Sequence, residues 1–138
     1  MRTVETKPDD ALADDAVVIR RVTPGAPRPD GKREISKSAF SPSSAKHDPE
    51  EGMSVDLMSS LEAQGIDPAD REQFAPNIEV LMTIRVRDLH EEGIWVVPRP
   101  LTANPAHCNV LNVTKSKRKA ILVMADFFAP PGGCSKIN

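Results

Sequence analysis

Thirteen prolines spread through 138 residues are the feature that most limits what this chain can build. Each withholds a backbone donor and clashes with the preceding helical turn, so together with 7 glycines they exclude a long helical bundle or coiled coil. What remains is a fold of short elements. The length suits one domain of ordinary size rather than two large ones. Hydrophobic residues make up 39% of the chain and aromatic residues only 4%, so a core must come mostly from Val, Ile, Leu and Met. No stretch approaches the roughly 18 to 20 continuous apolar residues that span a bilayer, and no charged-then-apolar leader opens the sequence. A soluble, cytoplasmic protein is expected, with no membrane partner.

Hydrophobic pattern and turn chemistry divide the chain into elements. Residues 1–15 contain Pro8, four aspartates and little to bury, so ordering them would cost about 1–2 kcal/mol per residue without an apolar return; they are expected to form a disordered acidic tail. The β-branched run 16–22, stopped by Thr23-Pro24-Gly25, predicts a strand and turn. Residues 32–40 alternate weakly, as a second strand or an extended arm, and 41–52 read as a polar loop. Over 54–65, Leu57, Met58 and Leu61 share a helical face with Gly65 as the stop, and Asp67-Pro68 suits the start of another short helix.

The best strand pair lies between Ile78 and Val97: alternation over 78–87, a turn or single helical turn over 88–93, then a strand from Ile94 that Pro98 and Pro100 end. Asn104-Pro105 marks a turn into a strand over 106–113, with Ala106, Cys108 and Val110 on one side. Residues 116–128 predict a final helix, although 121–123 could equally be a buried strand. The whole reads as α+β: a small, mainly antiparallel sheet with two or three short helices, forming a single domain over 16–129 between the acidic tail and a flexible C-terminal tail over 130–138.

Charge is banded along this framework. Summing Lys and Arg against Asp and Glu gives −3 for residues 1–16, +5 for 17–47, −9 for 48–92 and +5 for 93–138. Internal pairing of these bands is one use, and a bipolar surface that docks on a charged partner is the other. The densest basic patch is Lys115, Lys117, Arg118 and Lys119. Cations at a helix N-terminus oppose the macrodipole, so a role in partner binding is a natural reading. Nucleic acid is possible through that patch but not favoured, because the pI is about 5.9, tyrosine is absent and no aromatic lies beside the patch for stacking.

No dinucleotide, P-loop, zinc-protease, nucleophile-elbow or paired-cysteine motif occurs. Pro131-Gly132-Gly133-Cys134 is glycine-rich but has no helix after it to hold a phosphate. Cys108 and Cys134 are too few for a disulfide framework, and His47, His90, His107, Cys108 and Cys134 lack the close spacing of structural zinc ligands, so neither a metal nor another cofactor is expected.

His107 is the candidate catalytic residue, able to donate, accept or exchange a proton near pH 7. Adjacent strand residues face opposite ways, so His107 and Cys108 cannot serve each other as base and nucleophile. Arg20 and Arg21 must likewise point to opposite faces, and an arginine there could clamp a carboxylate or phosphate. Ser36 and Ser38 could add hydroxyl donors to the same ligand site, while Ser54 and Asp56 read as a helix cap. Two function classes follow. One is a small accessory protein that docks a macromolecular partner, most simply a protein, through its charged surfaces. The other is a small nucleotide- or NAD-binding, transferase-like enzyme using Arg20 or Arg21, Ser38 and His107. Convergence of those side chains on one concave pocket separates them.

Overall fold

The computed structural model describes residues 3–26, 28–42, 50, 52–68, 80–128 and 134–136. Its elements in chain order are β1 (Val17–Val22), β2 (Arg33–Ile35), β3 (Met53–Leu57), α1 (Met58–Ala63), β4 (Val80–Arg85), α2 (Val86–Glu91), β5 (Trp95–Pro98), β6 (His107–Leu111), α3 (Arg118–Met124), β7 (Asp126–Phe127) and β8 (Cys134–Lys136), with 3-10 turns over Lys37–Ala39 and Lys115–Lys117. Six strands form one sheet in the order β5-β6-β3-β1-β4-β7, antiparallel at every ladder. β2 and β8 make a separate parallel pair. The fold is α+β. Expectations for the loop at 43–49, the helix beyond Pro68 and the glycine-rich stretch 131–133 lie outside the described residues.

Register assigns the faces, because residues opposite each other in an antiparallel pair share a side. The rows Val18–Leu57, Val18–Ile84, Val55–Cys108, Met53–Val110 and Val96–Val110 put those side chains on one face. Val86 and Leu89 of α2, Ile121 and Leu122 of α3, and Ile35 and Phe40 cover that face as the main core. A second, smaller cluster of Ile19, Leu61 and Ala106, with Met58 and Leu81 at its rim, lies on the opposite face. Both α1 and α2 end at a glycine in left-handed geometry, Gly65 (φ 69°) and Gly93 (φ 69°). The amides of Ile66 and Ile94 reach back to the carbonyls of Leu61 and Leu89, the closing pattern that favours glycine at this position.

The structure corrects two expectations. Residues 54–57 are strand rather than helix: Met53, Val55 and Leu57 alternate with Ser54 and Asp56, and the helix begins only at Met58. Phe127 sits in β7 opposite Met82, not on the last helix, which ends at Met124. Trp95 lies half-buried on the face away from the main core, with its indole Nε1 donating to the Val4 carbonyl at 2.8 Å. The main core is therefore built mostly from aliphatic residues, as the composition suggests. The N-terminal segment, which has little to bury, bonds to the rest of the fold through polar groups. The Leu12 amide donates to Val96 O (2.8 Å), Asp10 pairs with Arg99 (2.6 Å) and Asp14 with His90 (2.8 Å).

Asn112 completes this strap. It holds φ at 69°, a conformation Asn tolerates better than most residues, and from there its amide reads both polar groups of Val4. Oδ1 accepts from the Val4 amide (2.7 Å) and Nδ2 donates to the Val4 carbonyl (2.6 Å) and to Gly93 O (3.0 Å). At the other terminus Lys136 in β8 donates to Val123 O (3.1 Å) and Ala125 O (2.7 Å), placing a cation at the end of α3 where the helix dipole favours one.

Candidate active site

The face opposite the main core carries a pocket of about 190 Å³, open to solvent, lined by Ile19, Arg20, Arg21, Ser54, Val55, Asp56, Pro68, Leu81, Asn104 and His107. Its floor is a row across three strands: Ile19 of β1 is opposite Asp56 of β3, which is opposite His107 of β6. In the next row Arg21 lies opposite Leu81 and Ser54 opposite Asn109. The alternation that sends Val18, Val55 and Cys108 inward therefore sends Arg21, Ser54, Asp56 and His107 to this side.

Hydrogen bonding fixes His107. Its Nδ1 is 2.8 Å from the carbonyl oxygen of Arg99. A carbonyl can only accept, so the proton is assigned to Nδ1. In the neutral ring Nε2 is then the acceptor, and the Ser54 hydroxyl lies 3.2 Å from it. The result is a relay from the Ser54 hydroxyl through the imidazole to a main-chain carbonyl. Asp56 is held beside it by Asn104, whose Nδ2 donates at 2.7 Å.

The hairpin between β5 and β6 sets the position of that carbonyl. The Arg99 amide donates to His107 O (3.0 Å), and the His107 amide to Asn104 O (3.2 Å). The Arg99 side chain makes a forked contact to Glu50, Nε to Oε1 at 3.0 Å and Nη2 to Oε2 at 2.8 Å. Asn109 adds a bond to Glu50 Oε1 (2.8 Å), and Nη1 of Arg99 reaches Asp10. Hydrogen bonds from Arg99 hold both carboxyls below their ordinary range, and those carboxylates hold the guanidinium above its own.

Arg20 and Arg21 divide as the strand alternation requires. Arg20 turns to the opposite side, where its guanidinium donates to Ser54 O (2.6 Å), to Ala39 O twice (3.3 and 3.2 Å) and to Ser41 O (3.5 Å). It braces β3 against the 3-10 turn. Burial, and next the neighbouring charge of Arg21, pull it down to about 10, so it remains cationic at neutral pH. Ser36 and Ser38 bond to each other (2.6 Å) in that turn and do not line the pocket. Cys108 is buried in the main core, its thiol pushed up to about 11, first by burial and then by Asp56. It is a packed thiol, not a thiolate nucleophile.

The basic patch is divided. Lys115 and Lys119 are exposed, Lys117 donates to Glu92 O at the end of α2 (2.6 Å), and the Nε of Arg118 is buried without a partner among the described residues. His90, in α2, bonds Asp14 and stacks at a tilt on Trp95 (5.6 Å between rings), and does not line the pocket. His47 and the Cys134 side chain lie outside the described residues, and among those described no group of three or more His, Cys, Asp or Glu could hold a metal ion. No described helix is long and apolar enough to cross a membrane.

Sequence reasoning reached Arg21 and His107 but missed Ser54, Asp56, Arg99 and Asn104 as parts of one site. The available signal was the period-two pattern from Met53 to Leu57, which places Ser54 and Asp56 on one open face. No family model, curated protein or solved structure matches the chain, so its function must be argued from this geometry.

Proposed function

We propose that this pocket is an active site for acyl transfer to water, in which Ser54 is the nucleophile and His107 the general acid–base. The observation that carries the reading is the chain Ser54 Oγ, His107 Nε2, His107 Nδ1, Arg99 O, at 3.2 and 2.8 Å, at the pocket wall. It has the logic of a nucleophile, a base and a group that orients the base, with a backbone carbonyl as the third member.

The steps balance as follows. Ser54 Oγ attacks the carbonyl carbon of an ester as its proton passes to Nε2. The ester C–O bond then breaks, and the departing alkoxide takes that proton. Water, deprotonated by Nε2, attacks the acyl-serine, and the acid leaves as Ser54 recovers its proton. The side-chain N–H donors lining the pocket, Arg21 and Asn104, are suited to a developing oxyanion. Arg99 O keeps the imidazole in the tautomer that can accept from serine.

This reading keeps His107 and one arginine from the nucleotide- or NAD-binding, transferase-like alternative, but replaces that chemistry with ester hydrolysis and Ser38 with Ser54. Docking through the basic patch has less geometric support, since Lys117 already holds a backbone carbonyl. The test is hydrolysis of 4-nitrophenyl acetate by the wild-type chain, Ser54→Ala, His107→Ala and Ser59→Ala, an exposed serine on α1. General acid–base assistance is worth about 10²–10⁴-fold. Ser54→Ala and His107→Ala should each lose that much of kcat while Ser59→Ala keeps it. Equal rates in all four proteins would overturn the proposal.

A further inference from the structure

The three members of the relay stand on three separate pieces of chain: Ser54 on β3, His107 on β6, and the Arg99 carbonyl just beyond β5. Their geometry depends on what holds those pieces together. Pro98 and Pro100 have no amide hydrogen, so the Arg99 amide, which donates to His107 O (3.0 Å), makes the last rung of the β5–β6 ladder. The next amide, that of Leu101, donates to Asn104 O within the loop (3.0 Å). The orienting carbonyl therefore lies past the end of the ladder.

One side chain spans the gap. Glu50 Oε1 accepts from Arg99 Nε (3.0 Å) and Oε2 from Nη2 (2.8 Å), the forked geometry that a carboxylate and a guanidinium share. Oε1 also accepts from Asn109 Nδ2 (2.8 Å). Asn109 is two residues beyond His107 on β6, on the same face of the strand, and lies opposite Ser54 of β3. Glu50 is on the lead-in to β3, which begins at Met53. A single carboxylate thus ties the end of β5 to β6 beside the Ser54–Asn109 pair. The Arg99 and Glu50 side chains are 35% and 30% exposed, so the contact is partly shielded from solvent screening. Neither residue lines the pocket.

Resting on the reading above, we infer that Glu50 is a positioning residue of the same site: it fixes Arg99 so that the main-chain carbonyl keeps the proton on His107 Nδ1 and leaves Nε2 to accept from Ser54. It touches no substrate. Without it the neutral ring exchanges tautomers, and the form with its proton on Nε2 cannot take the serine proton.

Two readouts test this, one of catalysis and one of the ring. In hydrolysis of 4-nitrophenyl acetate, Glu50→Ala should lower kcat by about ten- to a hundredfold, the cost of a small displacement of a reacting group. KM should be unchanged, because only the transition state uses the proton transfer. Glu50→Gln, which keeps an acceptor for Arg99, should recover part of the loss, and it carries the test if Glu50→Ala fails to fold. Ile121→Val, which loosens the main core on the other face, should keep the wild-type kcat. An undiminished kcat in the folded Glu50 variants, or an equal loss in Ile121→Val, overturns the proposal.

The imidazole nitrogen shifts of His107, assigned by their loss in His107→Ala, decide the matter apart from turnover. At about pH 8.5, where imidazoles are neutral, the wild-type protein should show a protonated Nδ1 and an unprotonated Nε2. Both shifts should move toward a common average in Glu50→Ala, and less far in Glu50→Gln. If no ester is hydrolysed in a Ser54-dependent way, the nucleophile assignment fails, while this movement still supports the hold of Glu50 on the ring. A single unchanged tautomer in both Glu50 variants overturns the proposal whether or not the ester is turned over.

Discussion

Replacing Asn112 with glycine isolates what holds the N-terminal segment to the sheet. Glycine accepts the φ of 69° at this position, so the substitution removes hydrogen bonds without adding backbone strain. Three are lost, at 2.7, 2.6 and 3.0 Å, to the two polar groups of Val4 and to Gly93 O. A typical intramolecular hydrogen bond contributes about 0.5–1.5 kcal/mol net. Asn112 is only 8% exposed, which argues for the middle of that range, while Val4 is free to return to water once released. The expected cost is about 2–4 kcal/mol, or about 8–16 °C of melting temperature at roughly 4 °C per kcal/mol.

Because the chain has a single tryptophan, one spectroscopic signal reports on the same contact. Trp95 donates its indole N–H to Val4 O, so releasing the strap should shift its emission to longer wavelength. Deleting residues 1–5 should produce the same spectral change, and combining the deletion with Asn112→Gly should cost much less than the sum, because both remove one interaction. An unchanged melting temperature and emission in Asn112→Gly would refute the reasoning, as would strictly additive costs.

Two further outcomes follow from the surroundings of Glu50. Gly52 lies against Asn109: a Cβ built there would come within 2.8 Å of the Asn109 Cβ and 2.9 Å of its Cγ, so Gly52→Ala should cost about 1–3 kcal/mol, read as a lower denaturant midpoint, with Asn109→Gly recovering part of it. Glu50 and Asp10 are both held below their ordinary values of 4.5 and 3.8 by hydrogen bonds from Arg99. A depressed folded-state value means that their contribution is fully present above those pH values and disappears as pH falls through the folded ones. Melting temperature should therefore drop below pH 4.5, and less steeply in Arg99→Met, in which the neutral-pH stability is already reduced.

Local pattern carried much of this fold. The strands at 17–22, 80–85, 95–98 and 107–111 follow from β-branched alternation bounded by proline and glycine, and Gly65 marks the end of α1 as a glycine stop should. β3 was hidden because Leu57, Met58 and Leu61 satisfy helical spacing while Met53, Val55 and Leu57 satisfy strand spacing. Leu57 belongs to both patterns, and the chain changes from one to the other immediately after it. Only pairing with β1 and β6 decides between them.

That ambiguity also concealed the site. With Ser54 and Asp56 read as a helix cap, nothing placed them beside His107. The orienting partner of His107 is a main-chain carbonyl, which no side-chain pattern can announce. Arg20 and Arg21 were legible as a pair facing opposite ways, but which one faced the pocket depended on the sheet neighbours. The contacts of the N-terminal strap were hidden for a related reason: its anchors are main-chain groups and single polar side chains, not an apolar stripe.

The central claim is that Ser54 is a nucleophile made reactive by His107. Treating the intact protein with a fluorophosphonate and locating the adduct by mass spectrometry tests it most directly, because this reagent phosphonylates serines that a neighbouring base activates. The account predicts one adduct on Ser54, formed in the wild-type chain and in Ser36→Ala, and lost in His107→Ala with the fold intact by circular dichroism. No adduct on the folded wild-type protein, or one on another serine that persists in His107→Ala, would contradict it.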